Sequence, residues 1–310
     1  MIEVHDLCKK YGKFVALDHL NFSLKEGEIF GFIGPNGAGK TTTMRIMSGL
    51  LKADSGTVYI DRLDAMYDSQ ALKSKIGYMP DFFGVYDNLK TIEYMEFYAS
   101  LYGITGAKAH ELCVELLDHM NLSDKADYYV DELSRGMKQK LCLARCMVHD
   151  PELLILDEPC SGLDPGARYE MKECMKVLNE MGKTIIISSH ILSELSEMCT
   201  TIGIIDHGTM IAKGTEKEIM MHFNTSNPIK IHILDGKNTA IKVLKEDFLV
   251  RSISIEDEYI MIGFAGEVQE ESELLKKLVD QGVRVASFVR QTGSLEQLFL
   301  KITGKQEVLS

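Results

Sequence analysis

The segment from Gly34 to Thr41, which reads Gly-Pro-Asn-Gly-Ala-Gly-Lys-Thr, constrains the fold of this chain more than any other feature. It has the form Gly-x4-Gly-Lys-Thr and lies between an apolar run at residues 28–33 and a helix-like run at residues 41–51. That strand–loop–helix order is the setting in which such a segment forms a phosphate-binding P-loop. Glycines allow backbone N–H groups to turn toward phosphate oxygens, and the start of the following helix adds partial positive charge. The segment therefore predicts an α/β fold that binds a nucleoside triphosphate.

Two side chains at the end of this loop have predicted roles in nucleotide chemistry. The Lys40 ammonium is expected to contact the β- and γ-phosphates and to act in catalysis, and the Thr41 hydroxyl is expected to bind Mg²⁺. The predicted nucleotide-binding residues of this segment are Gly34, Asn36, Gly37, Ala38, Gly39, Lys40, Thr41 and Thr42.

Composition and charge limit the classes of partner. The chain has 310 residues, enough for two domains, and its net charge of −12 argues against nucleic acid or anionic lipid as a bulk partner. No apolar stretch approaches the roughly 18–20 residues that a membrane span requires, and the first residues do not resemble a signal peptide. We therefore expect a cytoplasmic protein.

The seven cysteines are expected to be reduced and mostly buried, and a structural role is expected for Cys142 and Cys146, which share a helix face.

The first part of the chain alternates apolar strand-like runs with helical ones, which favours a parallel or mixed sheet buried on both faces. Strands are predicted at residues 28–33, 153–156, 184–187 and 202–205. Residues 91–149 are instead helical throughout, and one apolar stripe there contains Ala109, Leu112, Cys113, Leu116, Leu117 and Met120. We therefore predict a nucleotide-binding domain at residues 1–223, with an inserted helical subdomain at about residues 84–150.

A second domain is predicted after a turn-rich linker at residues 224–228. The pattern predicts strands and helices in the order β-α-β-β-α-β, at residues 229–234, 238–246, 250–255, 259–264, 270–280 and 283–289. This is the order of a ferredoxin-like unit. Residues 229–304 are therefore predicted to form an accessory α+β domain with a last helix near residues 294–302, followed by a tail at residues 305–310.

A second motif, Leu153-Leu154-Ile155-Leu156-Asp157-Glu158-Pro159, places two acids at the end of an apolar strand. In open α/β sheets, ligands bind beyond the carboxyl ends of the strands. Asp157 is therefore expected to bind Mg²⁺, and Glu158 is expected to take a proton from an attacking water. Alone, the motif also fits a strand that ends in two solvated acids, but the P-loop upstream favours the catalytic interpretation.

The segment Leu133-Ser134-Arg135-Gly136-Met137-Lys138-Gln139 resembles the signature motif of the ABC (ATP-binding cassette) ATPases. It precedes Asp157 at the spacing usual in that family. Ser134 also suits the N-cap of the helix that follows, and both roles can hold. The resemblance implies that the Ser134 hydroxyl and the Gly136 N–H bind the γ-phosphate of an ATP that a second protomer holds.

Three further segments match motifs of this family in order, so the resemblance covers residues 2 to about 218. Tyr11 stands where an aromatic side chain stacks on adenine. Asp164, in Ser161-Gly162-Leu163-Asp164, stands in the D-loop at the dimer contact, and His190 stands where an imidazole contacts the γ-phosphate. Each of these residues alone would more often be structural, but the ordered series favours the functional interpretation.

Two positions depart from the family pattern. Arg135 replaces a second glycine of the signature motif, which leaves Ser134 and Gly136 in place. Asp81 stands where the family usually has Gln, whose side chain touches Mg²⁺ and its water. A carboxylate can bind Mg²⁺ but cannot donate a hydrogen bond when ionised, so we expect Asp81 to bind the metal and to alter how water is placed.

Two further segments each fit more than one role. The cluster Phe82-Phe83-Gly84-Val85-Tyr86 either packs in the core or forms the floor of a groove for a helix of a membrane partner. The C-terminal unit resembles a small domain that follows some exporter-type cassettes, and residues 293–304 match the ending of that group. Structural support or a dimer contact is expected there in preference to ligand binding.

The resemblance implies the ATP-hydrolysing subunit of an ABC transporter, of exporter type. Two copies are expected to form a head-to-tail homodimer around two ATP and to drive a permease encoded as a separate chain, at the cytoplasmic face of the membrane. One alternative is a soluble ABC ATPase that acts on DNA or ribosomes, but those typically have tandem cassettes or coiled-coil insertions. The other is a kinase or GTPase, but the chain has no Asn-Lys-x-Asp guanine motif. No nucleic-acid partner is expected.

Overall fold

The computed structural model of the protein describes residues 2–82, 84, 86, 88–222, 228–256 and 258–290. The chain divides into two compact units, Met1–Ile219 and Met220–Ser310. No helix in the described residues is both long enough and apolar enough to span a membrane.

Strands and helices are interspersed along the chain up to residue 222. In order they are β1 (Ile2–Tyr11), β2 (Phe14–Leu24), β3 (Ile29–Ile33), α1 (Lys40–Met47), β4 (Ser55–Ile60), β5 (Leu63–Asp64), α2 (Ser69–Lys73), β6 (Ile76–Met79), α3 (Thr91–Leu101), α4 (Ala107–His119), α5 (Arg135–Met147), β7 (Leu153–Leu156), α6 (Pro165–Glu180), β8 (Thr184–Ser189), α7 (Leu192–Ser196), β9 (Thr201–Asp206), β10 (Thr209–Gly214) and α8 (Glu216–His222). Two short 3-10 turns, Ser123–Lys125 and Val130–Glu132, lie between α4 and α5.

A six-stranded mixed sheet forms the centre of the first unit, in the order β10-β9-β3-β8-β7-β6. All neighbouring pairs are parallel except β10 with β9. The four predicted strands are therefore confirmed, and β3, β7 and β8 are buried along their whole length. Because these three strands are adjacent and parallel, their carboxyl ends meet at one edge of the sheet, which is where ligands bind in such folds.

A second sheet, antiparallel and in the order β2-β1-β4-β5, was not predicted from the sequence. Its strands contribute Leu7, Leu17 and Leu20 to the same core as Phe30 of β3, and Phe22 stacks on Phe30 with ring centroids 5.7 Å apart. Register shifts interrupt the pairing of β1 with both of its neighbours. These irregularities break the period-two alternation by which an antiparallel strand is found in a sequence.

The helical region between β6 and β7 contains α3, α4 and α5. Its predicted apolar stripe is confirmed, since five of the six residues are buried and Leu112 is partly buried. Arg145 of α5 donates a hydrogen bond to the Tyr94 hydroxyl of α3 at 3.0 Å, which joins two of these helices. Helix α1 ends earlier than the predicted residue 51, because Gly49 has a φ of +70° and leaves the helical conformation.

The second unit has the predicted element order, with β11 (Ile229–Asp235), α9 (Lys237–Glu246), β12 (Val250–Glu256), β13 (Tyr259–Phe264), α10 (Val268–Asp280) and β14 (Arg284–Arg290). Its antiparallel sheet has the order β12-β13-β11-β14, and a separate apolar core lies between the sheet and the two helices. Residue 223, residues 224–227 of the predicted linker and residues 291–310 lie outside the described residues. The last of these ranges contains the expected helix at 294–302, the matched ending at 293–304 and the tail at 305–310.

Candidate functional site

The P-loop connects the carboxyl end of β3 to the start of α1, and close packing requires two of its glycines, Gly34 and Gly39. A Cβ atom on Gly34 would collide with the Ile205 carbonyl oxygen. Gly39 has a φ of +110°, and a Cβ atom there would lie 2.6 Å from the Ala16 carbonyl oxygen. The loop is therefore held tightly between β9 and β2, which sets the position of the residues that follow it.

The Lys40 side chain lies across the loop and is almost completely buried. Its Nζ donates hydrogen bonds to the Gly34 carbonyl at 2.6 Å and the Pro35 carbonyl at 3.3 Å. The same nitrogen lies 3.6 Å from Oε1 of Glu158. Burial lowers the pKa of Lys40 below its ordinary value, and the Glu158 carboxylate opposes this shift. The ammonium is thus desolvated within the concave side of the loop, where an anionic phosphate would interact with it strongly.

Asp157 lies at the carboxyl end of β7, directly beside the P-loop, and is 1% exposed. Its Oδ1 accepts a hydrogen bond from the Ser188 hydroxyl at 2.6 Å. Its Oδ2 is buried and has no hydrogen-bond partner among the described residues. Burial raises the pKa of Asp157, and the nearby hydroxyls of Ser188 and Thr41 oppose this shift. A buried carboxylate oxygen without a donor is costly, and a bound cation would remove that cost.

Thr41, Asp81 and Asp157 are among the residues that line one cavity of 1110 Å³. Asp81 is exposed, whereas Asp157 is buried. A hydroxyl and two carboxylates are hard oxygen ligands of the kind that Mg²⁺ prefers. The residues present therefore fit a divalent cation, and the unpartnered oxygen of Asp157 is the observation on which this fit rests.

Glu158 has an unusual backbone conformation and a carboxylate with two partners. Its φ is +51°, a left-handed value that is uncommon for residues other than glycine. Its N–H donates to the Ser188 hydroxyl at 2.9 Å. Oε2 lies 2.9 Å from Nδ1 of His190, and Oε1 is the oxygen that faces Lys40. The carboxylate is thus held between an imidazole and an ammonium group, at the rim of the P-loop.

His190 follows the last residue of β8, and its side chain is 45% exposed. The turn around it is stabilised by Ser189, whose hydroxyl donates to Oε2 of Glu194 at 2.7 Å and accepts from the Ile191 N–H at 3.0 Å. Helix α7 starts directly after this turn. The imidazole is therefore attached to a well-defined strand end and still accessible to a ligand.

Four predicted site residues, namely Tyr11, Ser134, Gly136 and Asp164, are not brought to the Lys40 cluster. Tyr11 is 47% exposed at the end of β1. Ser134 caps α5 by accepting from the Met137 N–H at 3.3 Å, and Asp164 caps α6 by accepting from the N–H of Gly166 at 3.0 Å. Within the described part of the chain, no hydrogen bond, ion pair or ring contact joins these residues to Lys40, Asp157 or Glu158.

The start of α5 packs directly against the first turn of α6, and Arg135 reaches the segment before α6. A Cβ atom on Gly136 would lie 2.8 Å from the Cβ of Ala167. The Arg135 guanidinium covers Gly162, since a Cβ atom there would lie 2.5 Å from its carbon. Arg135, which departs from the family pattern, therefore joins the predicted signature motif to the predicted D-loop.

Phe82 and Tyr86 are exposed, so core packing, one of the two alternatives, does not hold for these two residues. Phe82 is 92% exposed and lines the same cavity as Asp81, and Tyr86 packs edge-on against Phe97 with ring centroids 5.4 Å apart. Phe83 and Val85 lie outside the described residues. The cavity is also lined by apolar and aromatic side chains of the helical region, namely Tyr98, Leu101 and Tyr102.

Sequence reasoning missed Ser188, which contacts both acids. The available signal was weak: two hydroxyl residues, Ser188 and Ser189, follow three isoleucines at the end of a strand. Only the pairing of β8 with β7 shows which of the two serines faces Asp157.

Comparisons with known proteins cover nearly the whole chain. The family model described as ABC transporter matches residues 17–161. The linearmycin resistance ATP-binding protein LnrL of Bacillus subtilis (strain 168) is 33% identical over 307 residues, which are 98% of this chain and 99% of that protein. The Nod factor export ATP-binding protein I of Cupriavidus metallidurans is 31% identical over 309 residues, which are 99% of this chain and 98% of that protein.

Solved structures show the same fold. A dimeric, post-hydrolysis state of an ATP-binding cassette bound to ADP and Pi has a TM-score of 0.63 and 26% sequence identity. The match covers 69% of this chain and 98% of that chain. The similarity therefore extends from the sequence to the arrangement of strands and helices around the P-loop.

Proposed function

Since this chain belongs to the ABC transporter family of ATP-binding proteins and is an ATPase of that family, we propose how its residues bind and hydrolyse ATP and what the reaction drives. The protein binds ATP together with Mg²⁺ at the P-loop and uses Glu158 as the general base. The observation that carries this proposal is the convergence of Lys40, Asp157, Glu158 and His190 at one edge of the sheet.

The phosphates are bound by the P-loop backbone and by Lys40, whose ammonium already lies on the concave side of the loop. Thr41, Asp81 and Asp157 hold Mg²⁺, which neutralises phosphate charge when it is bound. Glu158 accepts a proton from the attacking water, and His190 keeps the carboxylate oriented through Oε2. The neighbouring ammonium of Lys40 and the imidazole of His190 stabilise the charge that develops on the γ-phosphate.

A second copy of the chain completes the site. Ser134, Gly136 and Asp164 act across a head-to-tail homodimer that encloses two ATP, whereas Tyr11 has the separate role of stacking on adenine. Two observations support this arrangement. Those residues lie apart from the Lys40 cluster within one chain, and a solved cassette of the same fold is dimeric with ADP and Pi bound.

The partner of the dimer is a membrane permease on a separate chain, with the ATPase at the cytoplasmic face of the membrane. The cavity of 1110 Å³ beside Asp81 supports this proposal, because exposed aromatic and apolar side chains line it next to the metal ligands. A helix of the permease fits such a groove by its apolar face. Two relatives are named for resistance and for export, which supports export as the direction of transport.

Residues 1–223 form the nucleotide-binding domain, with a helical subdomain at about residues 84–150. Residues 224–228 are a linker to an accessory domain at residues 229–304, which ends in a tail at residues 305–310. The separate apolar core of the second unit supports this division. No residue of the second unit is assigned to the ATP site.

The test is a measurement of Mg²⁺-dependent phosphate release from ATP by the purified protein, alone and with the permease encoded beside it. We expect hydrolysis that needs Mg²⁺, an ATP-dependent dimer, and co-purification with the permease from membranes. Hydrolysis without any membrane partner, combined with binding to ribosomes or DNA, would instead support the non-transport alternative.

A further inference from the structure

We propose that Ser188 is a positioning residue, which sets the geometry of both Asp157 and Glu158 through one hydroxyl group. Its Oγ donates to Oδ1 of Asp157 at 2.6 Å and accepts from the Glu158 N–H at 2.9 Å. Ser188 is 0% exposed, so water does not compete for these bonds. The inference rests on the proposed function, because it assigns a role within the same ATP site.

The hydroxyl is chemically suited to this position. A carboxylate oxygen only accepts and a backbone N–H only donates, whereas a serine hydroxyl does both at once. Asp157 and Glu158 are adjacent in the chain, and one hydroxyl on the neighbouring strand β8 therefore satisfies both partners. An alanine at this position would leave a buried acceptor and a partly buried donor without the partner that Ser188 provides.

The bond to the Glu158 N–H also supports the left-handed backbone at that residue. Glu158 has a φ of +51°, which a residue with a side chain adopts only when its surroundings favour it. This conformation directs the carboxylate toward Lys40 on one side and His190 on the other. Without the Ser188 hydroxyl, the Glu158 backbone can relax, and the carboxylate loses its fixed place.

The bond to Asp157 determines which carboxylate oxygen is left for a cation. Because Oδ1 is occupied by Ser188, Oδ2 is the buried oxygen without a partner among the described residues. Groups that hydrogen-bond a metal-binding carboxylate orient it, and their loss typically weakens metal affinity or activity by about 10–100-fold. Ser188 therefore links the orientation of the metal ligand to the orientation of the general base.

The neighbouring Ser189 provides a matched control. It is also buried, at 3% exposed, and its hydroxyl also both donates and accepts. Its partners are Glu194 and the Ile191 N–H, which lie on the α7 side of the strand end. Ser188→Ala and Ser189→Ala thus remove the same group from adjacent buried positions, and only the first removes a bond to Asp157 and Glu158.

The experiment measures Mn²⁺ affinity by electron paramagnetic resonance in the complex of each full-length variant with ADP. We expect Ser188→Ala to weaken Mn²⁺ binding about 10-fold or more and to lower kcat, with ADP affinity in EDTA changed by less than about twofold. Ser189→Ala should keep the Mn²⁺ affinity of the parent. Without metal or nucleotide, amide hydrogen exchange at Glu158 should be faster in Ser188→Ala than in the parent or in Ser189→Ala.

The inference would be overturned if a folded Ser188→Ala protein kept the Mn²⁺ affinity of the parent and its exchange rate at Glu158. It would also be overturned if Ser189→Ala lost as much Mn²⁺ affinity as Ser188→Ala. If Ser188→Ala does not fold, the pair Ser188→Thr and Ser188→Val replaces it, since the two have nearly the same shape and only Thr keeps the hydroxyl. Equal Mn²⁺ affinity in that pair would also overturn the inference. If the parent does not bind Mn²⁺ with ADP, the proposed function itself is refuted. If the parent binds Mn²⁺ and only the variants depart from expectation, the result concerns the role of Ser188 alone.

Discussion

Nδ1 of His190 lies 2.9 Å from Oε2 of Glu158, although the two residues are 32 positions apart in the chain. The contact exists because β7 and β8 are adjacent parallel strands, so the residues that follow them meet at the same edge of the sheet. The other oxygen of Glu158 lies 3.6 Å from Nζ of Lys40. One carboxylate therefore joins the P-loop lysine to the histidine after β8, and this arrangement leads to the first prediction.

Replacing Glu158 with Gln should keep ATP binding and reduce hydrolysis by about 10²–10⁴-fold, because Gln keeps the shape of the side chain but cannot accept the proton of water. Phosphate release and ATP affinity should be measured separately, and size exclusion should show an ATP-bound dimer. Glu197→Gln is a suitable control, since Glu197 is exposed and pairs with Lys172 at 2.7 Å. Near-normal turnover in Glu158→Gln would remove Glu158 from the role of base.

Replacing Asp81 with Gln should change the Mg²⁺ dependence of hydrolysis, or its coupling to transport, more than the affinity for ATP. The reason is that Asp81 lines the cavity with Thr41 and Asp157, whereas the phosphate-binding loop itself is unchanged. The Mg²⁺ optimum and the ATP Kd of the variant and the parent should be compared. Identical Mg²⁺ profiles and identical coupling would show that the carboxylate at this position is a neutral variation.

A chain that ends at Asn227 should still bind ATP with Mg²⁺, because every predicted ATP-site residue precedes this point and the second unit has its own apolar core. Nucleotide affinity and the oligomeric state with ATP should be measured for the shortened and the full chain. Dimerisation is expected to weaken, because residues 294–302 carry an apolar stripe of Leu295, Leu298, Phe299 and Ile302.

Loss of nucleotide binding in a folded shortened chain would show that the second unit contributes to the site. Intact binding and dimerisation, combined with a failure to co-purify with the permease, would instead identify the second unit as a docking surface for the permease.

Replacing Asp247 with Asn should destabilise the second unit at neutral pH by about 0.5–1.5 kcal/mol, because Lys277 is largely exposed and water screens the ion pair. The Asp247 carboxylate is 6% exposed and accepts from Lys277 at 2.8 Å and from the Leu249 N–H at 3.1 Å. Burial alone would raise the pKa of Asp247, but these two bonds outweigh it and hold the pKa below 3.8. A carboxyl group whose pKa is lowered in the folded protein stabilises the fold at any pH above its ordinary pKa. This stabilisation is lost as the pH falls through the pKa of the folded protein.

The difference in stability of the second unit between the parent and Asp247→Asn should therefore be at its maximum at pH 7. It should shrink as the pH falls below 3.8. Hydrogen exchange of the α10 amides reports on this unit and should be compared across that range. The exposed Asp280 at the end of α10 provides the control, because Asp280→Asn should have little effect at any pH. A constant difference across pH would contradict the ionic origin of the effect.

The sequence alone was sufficient for features that depend on local chemistry. The P-loop could be found because its glycines and Lys40 stand at fixed offsets between a buried strand and a helix, and the strand ending in Asp157 and Glu158 could be found because four apolar residues precede the acids. The second unit could be found because its strands and helices have regular periods. In each case the informative residues are close neighbours in the chain.

The tertiary structure decided what depends on contacts between distant segments. The antiparallel sheet that contains β1 and β2 is irregular in register, so its strands lack a clear sequence period. The left-handed backbone of Glu158, the two bonds of Ser188 and the exposure of Phe82 follow from which strands are neighbours and which helix ends nearby. The sequence thus determined which chemical groups are present and in what order, and the pairing of β7 with β8 determined which of them touch. Side-chain contacts form across strands and follow from long-range packing, which local periodicity does not encode.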